Sequence, residues 1–383
     1  MKLFPAFSAN TVPHVHSSEL RACAQFLYLK AKLIVPVPID RQNVLLFKTP
    51  PAQEDSHKHR ARVAFICDEM TWWDFCDCCD GIFLHPKFWS EQLRTFQPQI
   101  LFCESAWSGI EPFRDTWRGR IYRDRRVRFE NRDVLLKILR YCQDHGIQTV
   151  FWNKEDPAFY EHPIYDFTDT ALMFDHIFTT DSGCVPHYQG RGHKSVHVLP
   201  FGVNTSLFYP SHETLAKRTA FFAGSWYGDM PDRCAALERL LDYTLEQGWD
   251  LTIYDRNSMR PQSRFRFPEK YNAHIRKAVP YHTVPDLYRQ YQFGININTV
   301  VDSPTMLSRR ILQLAACGVT IITNDALALE AYHDCLKIRQ DAADGPVFAE
   351  GIPEAIGNHS TEVRFREMLN TVFASMERAF DYV

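Results

Sequence analysis

The sequence predicts an α/β protein made of two doubly wound domains, each a parallel sheet covered by helices. Two observations carry this. From residue 62 onward, short apolar runs alternate with amphipathic stretches of helical length, the pattern that sets parallel strands between covering helices. One polar, turn-rich segment, Phe201 to Arg218, interrupts the alternation, which then resumes in a chain of 383 residues, long enough for two or three domains.

Residues 1–60 form an N-terminal segment of unclear structure, with a helical pattern at Ser18 to Lys32, a strand-like run at Asn43 to Phe47, and a polar, proline-led linker at Pro50 to Arg60. A first domain is assigned to 61–205. Its strands are expected at Arg62 to Cys67, Ile100 to Cys103, Thr149 to Trp152, His176 to Thr179 and Val196 to Leu199, with helices at Pro86 to Thr95 and Asn131 to His145.

A second domain is assigned to 206–360, with strand Ala220 to Ala223, helix Asp232 to Gln247, strand Leu251 to Tyr254 and helix Val284 to Tyr291. Phe293 to Val300 alternates apolar and small polar residues, which suits a strand delivering Asn296 and Asn298 towards its carboxyl end. A helix is then expected from Ser303, a hydroxyl cap followed by Pro304 at the first helical position, and it ends at Gly318. Its polar stripe is Thr305, Arg309 and Gln313, and its apolar stripe Leu307, Ile311, Leu314 and Ala315. Residues 361–383 contain a further amphipathic helix, with Phe365, Met368, Leu369, Val372 and Phe373 on one side.

Composition narrows the function classes. A net charge of −3 argues against a general nucleic-acid binder, and no apolar run approaches a membrane span, so a cytoplasmic protein is expected. The eleven cysteines fall mostly inside predicted elements and read as reduced thiols. Cys76-Asp77-Cys78-Cys79, with Cys67 nearby, lacks paired C-x-x-C knuckles and is read as idle thiols; no metal ligand set is assigned.

Chemistry concentrates at predicted strand ends. A helix N-terminus at Ser303, following a strand, attracts anions, and Arg309 and Arg310 add charged donors suited to a diphosphate; the alternative is an ordinary helix with solvated arginines. Gly224-Ser225-Trp226-Tyr227-Gly228-Asp229 is a glycine-flanked turn after a strand, with Arg233 a second candidate cation. In the first domain Glu155 and Asp156, in the loop Asn153 to Pro157, are candidate general bases for an acceptor hydroxyl, and Lys154 a phosphate ligand; the alternative is a solvated turn. Glu104, with Trp107, is a further candidate, and Asp68-Glu69 a weaker one. Arg118 to Arg128 holds six arginines in eleven residues, a patch for an anionic acceptor or a membrane surface, or a solvated loop.

The run S-P-T-M-x-S-R-R-x-x-x-L-x-A-C-G, from Ser303 to Gly318, resembles the donor half of the spore-maturation-protein-like glycosyltransferases, which have the GT-B fold. Phe102 to Gly109, Phe151 to Pro157, Phe178 to Asp181, Leu199 to Asn204 and Phe222 to Tyr227 follow in that family's order, so the resemblance spans roughly residues 60 to 330. It implies two Rossmann-like domains facing a central cleft, a C-terminal helix packing back on the first domain, and transfer of a sugar from a nucleotide-diphosphate donor to a glycan or lipid-linked acceptor. By this mapping the donor is held by Gly224, Ser225, Tyr227, Arg233, Asn298, Ser303, Thr305, Arg309, Arg310 and Gln313, and Glu155, Asp156 and Glu104 are the catalytic candidates. Gln313 stands where the family has a ribose-holding glutamate. A silent nucleotide- or glycan-binding module, an epimerase and a glycerophosphate transferase remain alternatives. No Asp-x-Asp pair occurs, so a metal-independent reaction is expected.

Overall fold

A computed structural model describes residues 60–211, 216–340, 342 and 345–380. The helix and strand expected between residues 18 and 47 lie outside these, as does the linker up to residue 59.

The first sheet contains β1 (Arg62–Ile66), β2 (Asp80–Phe83), β3 (Ile100–Glu104), β5 (Gln148–Asn153), β7 (His176–Thr179) and β8 (Val196–Val198), all parallel, in the order β2-β1-β3-β5-β7-β8. A small antiparallel pair, β4 (Arg123–Asp124) and β6 (Tyr165–Asp166), stands apart from it. The central strands read as continuous apolar runs because both faces are covered: Val63, Ala64 and Ile66 are fully buried, as are Ile100 to Cys103.

The second sheet contains β9 (Ala216–Gly224), β10 (Asp250–Asp255), β11 (Ile275–Lys277), β12 (Tyr291–Ile295), β13 (Thr320–Thr323), β14 (Leu336–Gln340) and β15 (Val347–Gly351), in the order β11-β10-β9-β12-β13-β15-β14. Its first five strands are parallel and doubly wound; β13, β15 and β14 pair antiparallel. Two Rossmann-like sheets with helices on their faces are thus the architecture.

Two stretches connect the sheets and run side by side. Val203 pairs with Ser360, with Val203 N donating to His359 O at 3.0 Å and Thr361 N to Val203 O at 2.9 Å. A Cβ on Gly202 would sit 3.0 Å from three backbone atoms of His359 and Ser360, so only glycine permits this approach. Helix Thr361–Phe380 then lays Phe365, Met368 and Val372 into the core of the first sheet, with Phe365 and Phe75 ring centroids 5.4 Å apart. No helix among the described residues is long and apolar enough to cross a membrane.

Several elements differ from expectation. The helix expected from Ser303 begins at Arg309, because Ser303 and Thr305 bond to the first sheet's loops and hold the chain out of helical geometry. It ends as expected, with Gly318 at φ +71°. The strand expected to reach Val300 stops at Ile295, and helix Val284–Tyr288 stops three residues short of Tyr291. Helix Glu69–Phe75 and β2 were not foreseen: the helix is seven residues long and buries the polar Thr71 and Asp74 beside Trp72 and Phe75, so no apolar stripe marks it.

Candidate functional site

Ligands of open parallel sheets collect outside the carboxyl ends of the strands where strand order reverses. In the second sheet that reversal lies between β9 and β12. Gly224 ends β9 there, Ser225 and Tyr227 follow it, and Arg256 leaves β10 at the same edge. A side chain at Gly224 would meet Phe222 Cζ at 2.5 Å and Arg310 Nη2 at 3.1 Å, so glycine keeps this edge bare.

Three guanidinium groups converge on the turn. Arg233 donates to Ser225 O at 3.1 Å and Thr299 Oγ1 at 3.1 Å, and lies over the Tyr227 ring. Arg256 donates to Ser225 Oγ at 3.2 Å and Tyr227 OH at 2.7 Å, and Arg310 to Ala223 O at 2.6 Å. Every one of these acceptors is neutral, and no carboxylate among the described residues forms an ion pair with the three. The charge is felt locally. Burial pushes Arg233 down to about 10, with the neighbouring Arg310 and Arg256 adding to the fall, and burial also lowers Arg310. Arg256 lowers the Tyr227 phenol below its ordinary value, since a nearby cation favours phenolate.

Opposite it, the first sheet reverses between β1 and β3, and acidic residues gather there. Asp68 accepts from the backbone N–H groups of Trp107, Ser108 and Gly109 at 2.6–3.1 Å. Lys154 Nζ bridges Asp68 at 3.1 Å and Glu104 at 2.9 Å, so it is spent on carboxylates and is not placed to hold phosphate. Glu104 is wholly enclosed and also accepts from Asp68 N at 2.6 Å and Thr71 Oγ1 at 2.5 Å. Asp156, equally enclosed, accepts from Asn153 Nδ2 at 2.7 Å, Thr179 Oγ1 at 2.7 Å and Tyr188 OH at 3.0 Å. Burial pushes its carboxyl up to about 7.

Of the three acids expected to act, only Glu155 keeps access to solvent. Burial raises its carboxyl, opposed by Lys154 and by a hydrogen bond from Trp107. Its charge is felt by Arg256, whose pKa is raised first by Tyr227 and further by Glu155 and Asp68. Trp107 is half-buried edge-on among Phe159, Tyr165 and Phe167, at centroid distances of 5.1–5.4 Å, so its ring serves the packing of this wall as well as the cleft.

Five other residues expected at the donor are occupied elsewhere. Asn298 donates to Thr323 Oγ1 and Asn324 O and accepts from Asn296 Nδ2 and Ser308 N, which uses its whole amide. Ser303 Oγ donates to Asp181 Oδ1 at 2.5 Å, and Thr305 Oγ1 to Thr180 O at 2.9 Å. Arg309 pairs with Asp74 at 2.6 Å, and Gln313 Nε2 donates to Tyr281 OH at 2.9 Å. Successive helix residues point about 100° apart, so Arg309 and Arg310 serve different sheets. Arg256 was missed although it lies two residues past the predicted strand Leu251 to Tyr254, which was the available signal. Asp74 and Tyr281 carried no local signal, whereas Asp181 closes the stretch Phe178 to Asp181.

The basic patch is mostly neutralised within the fold. Arg118, Arg125 and Arg126 pair with Asp115, Asp166 and Asp124 at 2.5–2.8 Å, Arg123 bonds to the carbonyls of Val127 and Phe129, and Arg120 is buried. Arg125 and Arg128 remain exposed. Burial raises the thiols of Cys76 and Cys78, the latter to about 12. Among the described residues one group, Asp334, Cys335 and His359, brings potential ligand atoms within 4.8 Å of one another beside the connecting stretches. Arg364 can only donate to His359 Nδ1, at 3.0 Å, which leaves Nε2 as the N–H donor to Asp334 at 2.9 Å. Both ring nitrogens are engaged, and the group reads as a clasp.

Residues 233–352, which contain Arg233, Arg256 and Arg310, match the glycosyl transferase-like family. No curated protein matches the chain. Among solved structures, sucrose-phosphate synthase from Thermosynechococcus elongatus is 14% identical, with 79% of this chain and 83% of that one covered and a TM-score of 0.40. The lipopolysaccharide outer core galactosyltransferase WaaB is 10% identical, with 82% and 99% covered and a TM-score of 0.40. An α-glucosyltransferase in complex with UDP and DNA is 10% identical, with 83% and 92% covered and a TM-score of 0.44.

Proposed function

We propose that the protein is a glycosyltransferase that moves a hexose from a nucleotide-diphosphate donor to a hydroxyl of a glycan acceptor. The observation that carries this reading is the cluster of Arg233, Arg256 and Arg310, bonded only to neutral oxygens at the switch point of the second sheet. Three cations without a carboxylate suit a diphosphate, and the match of this region to the glycosyl transferase-like family supports a sugar ester of it.

In this reading Gly224 lets the diphosphate approach the strand end, and the guanidinium groups hold its oxygens. Glu155 takes the proton from the acceptor hydroxyl as the new bond to the anomeric carbon forms. The bond from that carbon to the diphosphate oxygen breaks, and the negative charge released on the leaving group falls among the three arginines. Since these cations supply the countercharge, transfer is expected to persist in the presence of a chelator.

The test is a thermal-shift and calorimetric screen of nucleoside diphosphates and their sugar esters on the full chain, followed by assay of sugar release. Binding with sugar release supports transfer. Binding without release of any sugar points to the silent module, and no binding of any nucleotide ends the reading.

A further inference from the structure

Arg309 and Arg310 are neighbours at the start of one helix, yet Arg309 bonds across to the first domain while Arg310 bonds to Ala223 O. Its Nη1 meets Asp74 Oδ2 at 2.6 Å and its Nη2 meets Thr71 Oγ1 at 3.3 Å, both in the first domain. The guanidinium lies 4.6 Å from the ring centroid of Phe201, which belongs to one of the two connecting stretches, and 5.8 Å from that of Trp152. The pair is shut away from water, with side-chain exposures of 6% and 3%.

Asp74 is poorly provided for. Its Oδ1 is buried without a hydrogen-bond partner. The Tyr281 hydroxyl lies near enough to favour the ionised form, but outside the geometry of a formed hydrogen bond. The charged and titratable groups facing Asp74 are Arg309 and Tyr281 from the second domain and Glu104, Lys154 and Cys76 from the first. Burial outweighs Arg309 and leaves the carboxyl pushed up to about 6. Parting the pair strands no buried charge if the carboxylate takes up a proton as the guanidinium gains another anion.

We propose that Asp74 is a positioning residue acting through Arg309: it holds this guanidinium as an internal counter-ion while the donor site is empty and surrenders it to the donor diphosphate. The inference rests on the donor site assigned above. Without Arg309 nearby the buried carboxyl loses its main stabilising charge, so it binds a proton near neutral pH. Donor binding therefore takes up a proton and strengthens as pH falls from 8 towards 6. The contact between the two domains through Asp74 and donor occupancy become alternatives.

The probe is UDP-glucose, ADP-glucose and GDP-mannose in turn, whose esterified diphosphates do not titrate between pH 5 and 8. Calorimetry on the full chain measures affinity from pH 6 to 8, in buffers of different ionisation enthalpy so that proton uptake is read directly. The expected result is tighter binding at lower pH with net uptake of a proton. Asp74→Asn should bind about ten-fold tighter than wild type at pH 7.5 and lose the pH dependence, within the usual range of coupling between linked equilibria. Thr71→Val, which leaves the charge pair intact, should keep the dependence. Binding that is flat in pH without proton uptake, or an Asp74→Asn variant that binds no tighter, overturns the role of Asp74 and leaves the donor site standing. Absence of binding by wild type to all three overturns the donor site and this inference with it. The proton-uptake measurement needs no variant, so a failure of Asp74→Asn to fold does not remove the test.

Discussion

Ser303 and Asp181 form a 2.5 Å hydrogen bond between the loops at the carboxyl edges of the two sheets, both side chains being almost fully buried. The same hydroxyl accepts from Thr305 N at 3.3 Å and Met306 N at 2.9 Å, folding a turn on the second sheet while fastening it to the first. Thr305 completes the seam by donating to Thr180 O and accepting from Ser182 N at 2.8 Å.

Replacing Ser303 with alanine removes a hydrogen bond to a buried carboxylate and should cost about 1.5–3 kcal/mol. Urea unfolding at pH 7 checks this, provided the transition remains two-state. A loss under about 0.5 kcal/mol, the range of ordinary surface changes, would show that the seam is incidental.

Arg256→Ala and Arg310→Ala should each weaken nucleoside-diphosphate binding by about 1.5–3 kcal/mol, the worth of a charge-assisted hydrogen bond. Because the three arginines repel one another, removing one should leave thermal stability unchanged or raised while affinity falls. Calorimetry paired with melting curves reads both, and unaltered affinity in either variant would sink its assignment.

Glu155→Gln should slow sugar transfer by about 10²- to 10⁴-fold, the range for loss of a general base, while leaving nucleotide affinity intact. The carboxyl lies above its usual range, so the acidic limb of the wild-type rate profile should be displaced upward from that of an exposed glutamate. Wild-type turnover in Glu155→Gln would assign the base elsewhere.

Asp156 predicts a pH dependence of stability. Its folded-state carboxyl is pushed up to about 7, against about 3.9 in an unfolded chain, so the folded state holds the proton more tightly. The stability it contributes is fully present below about pH 4 and is lost as pH rises through 7. Asp156→Asn should flatten that slope in unfolding free energies measured from pH 5 to 8. An unchanged slope would show that the three donors around Asp156 hold it ionised.

At the connection between the sheets, Gly202→Ala should destabilise by about 1–3 kcal/mol, the range for overpacking, because the atoms its Cβ would meet are backbone and cannot swing aside. Denaturant unfolding reads this directly; a neutral result would mean that the two stretches separate at little cost.

The sequence by itself determined the architecture, because strands buried on both faces must be continuous apolar runs and their covering helices must be amphipathic. β7 was expected residue for residue, and most of the parallel strands of both sheets lie where the apolar runs do. It also disclosed the edge that carries Gly224, Ser225, Tyr227, Arg233 and Arg310, since these follow strands or begin helices. Only the tertiary structure decided which charges are free. Arg309 and Arg310 are adjacent and alike in sequence, yet the turn of the helix gives one a carboxylate 235 residues away and leaves the other bonded to a carbonyl. Glu104, Glu155 and Asp156 all end or follow predicted strands, but enclosure by neighbours distant in the chain removes two of them from solvent. Desolvation and pairing are set by what packs against a group, and local sequence does not carry that information.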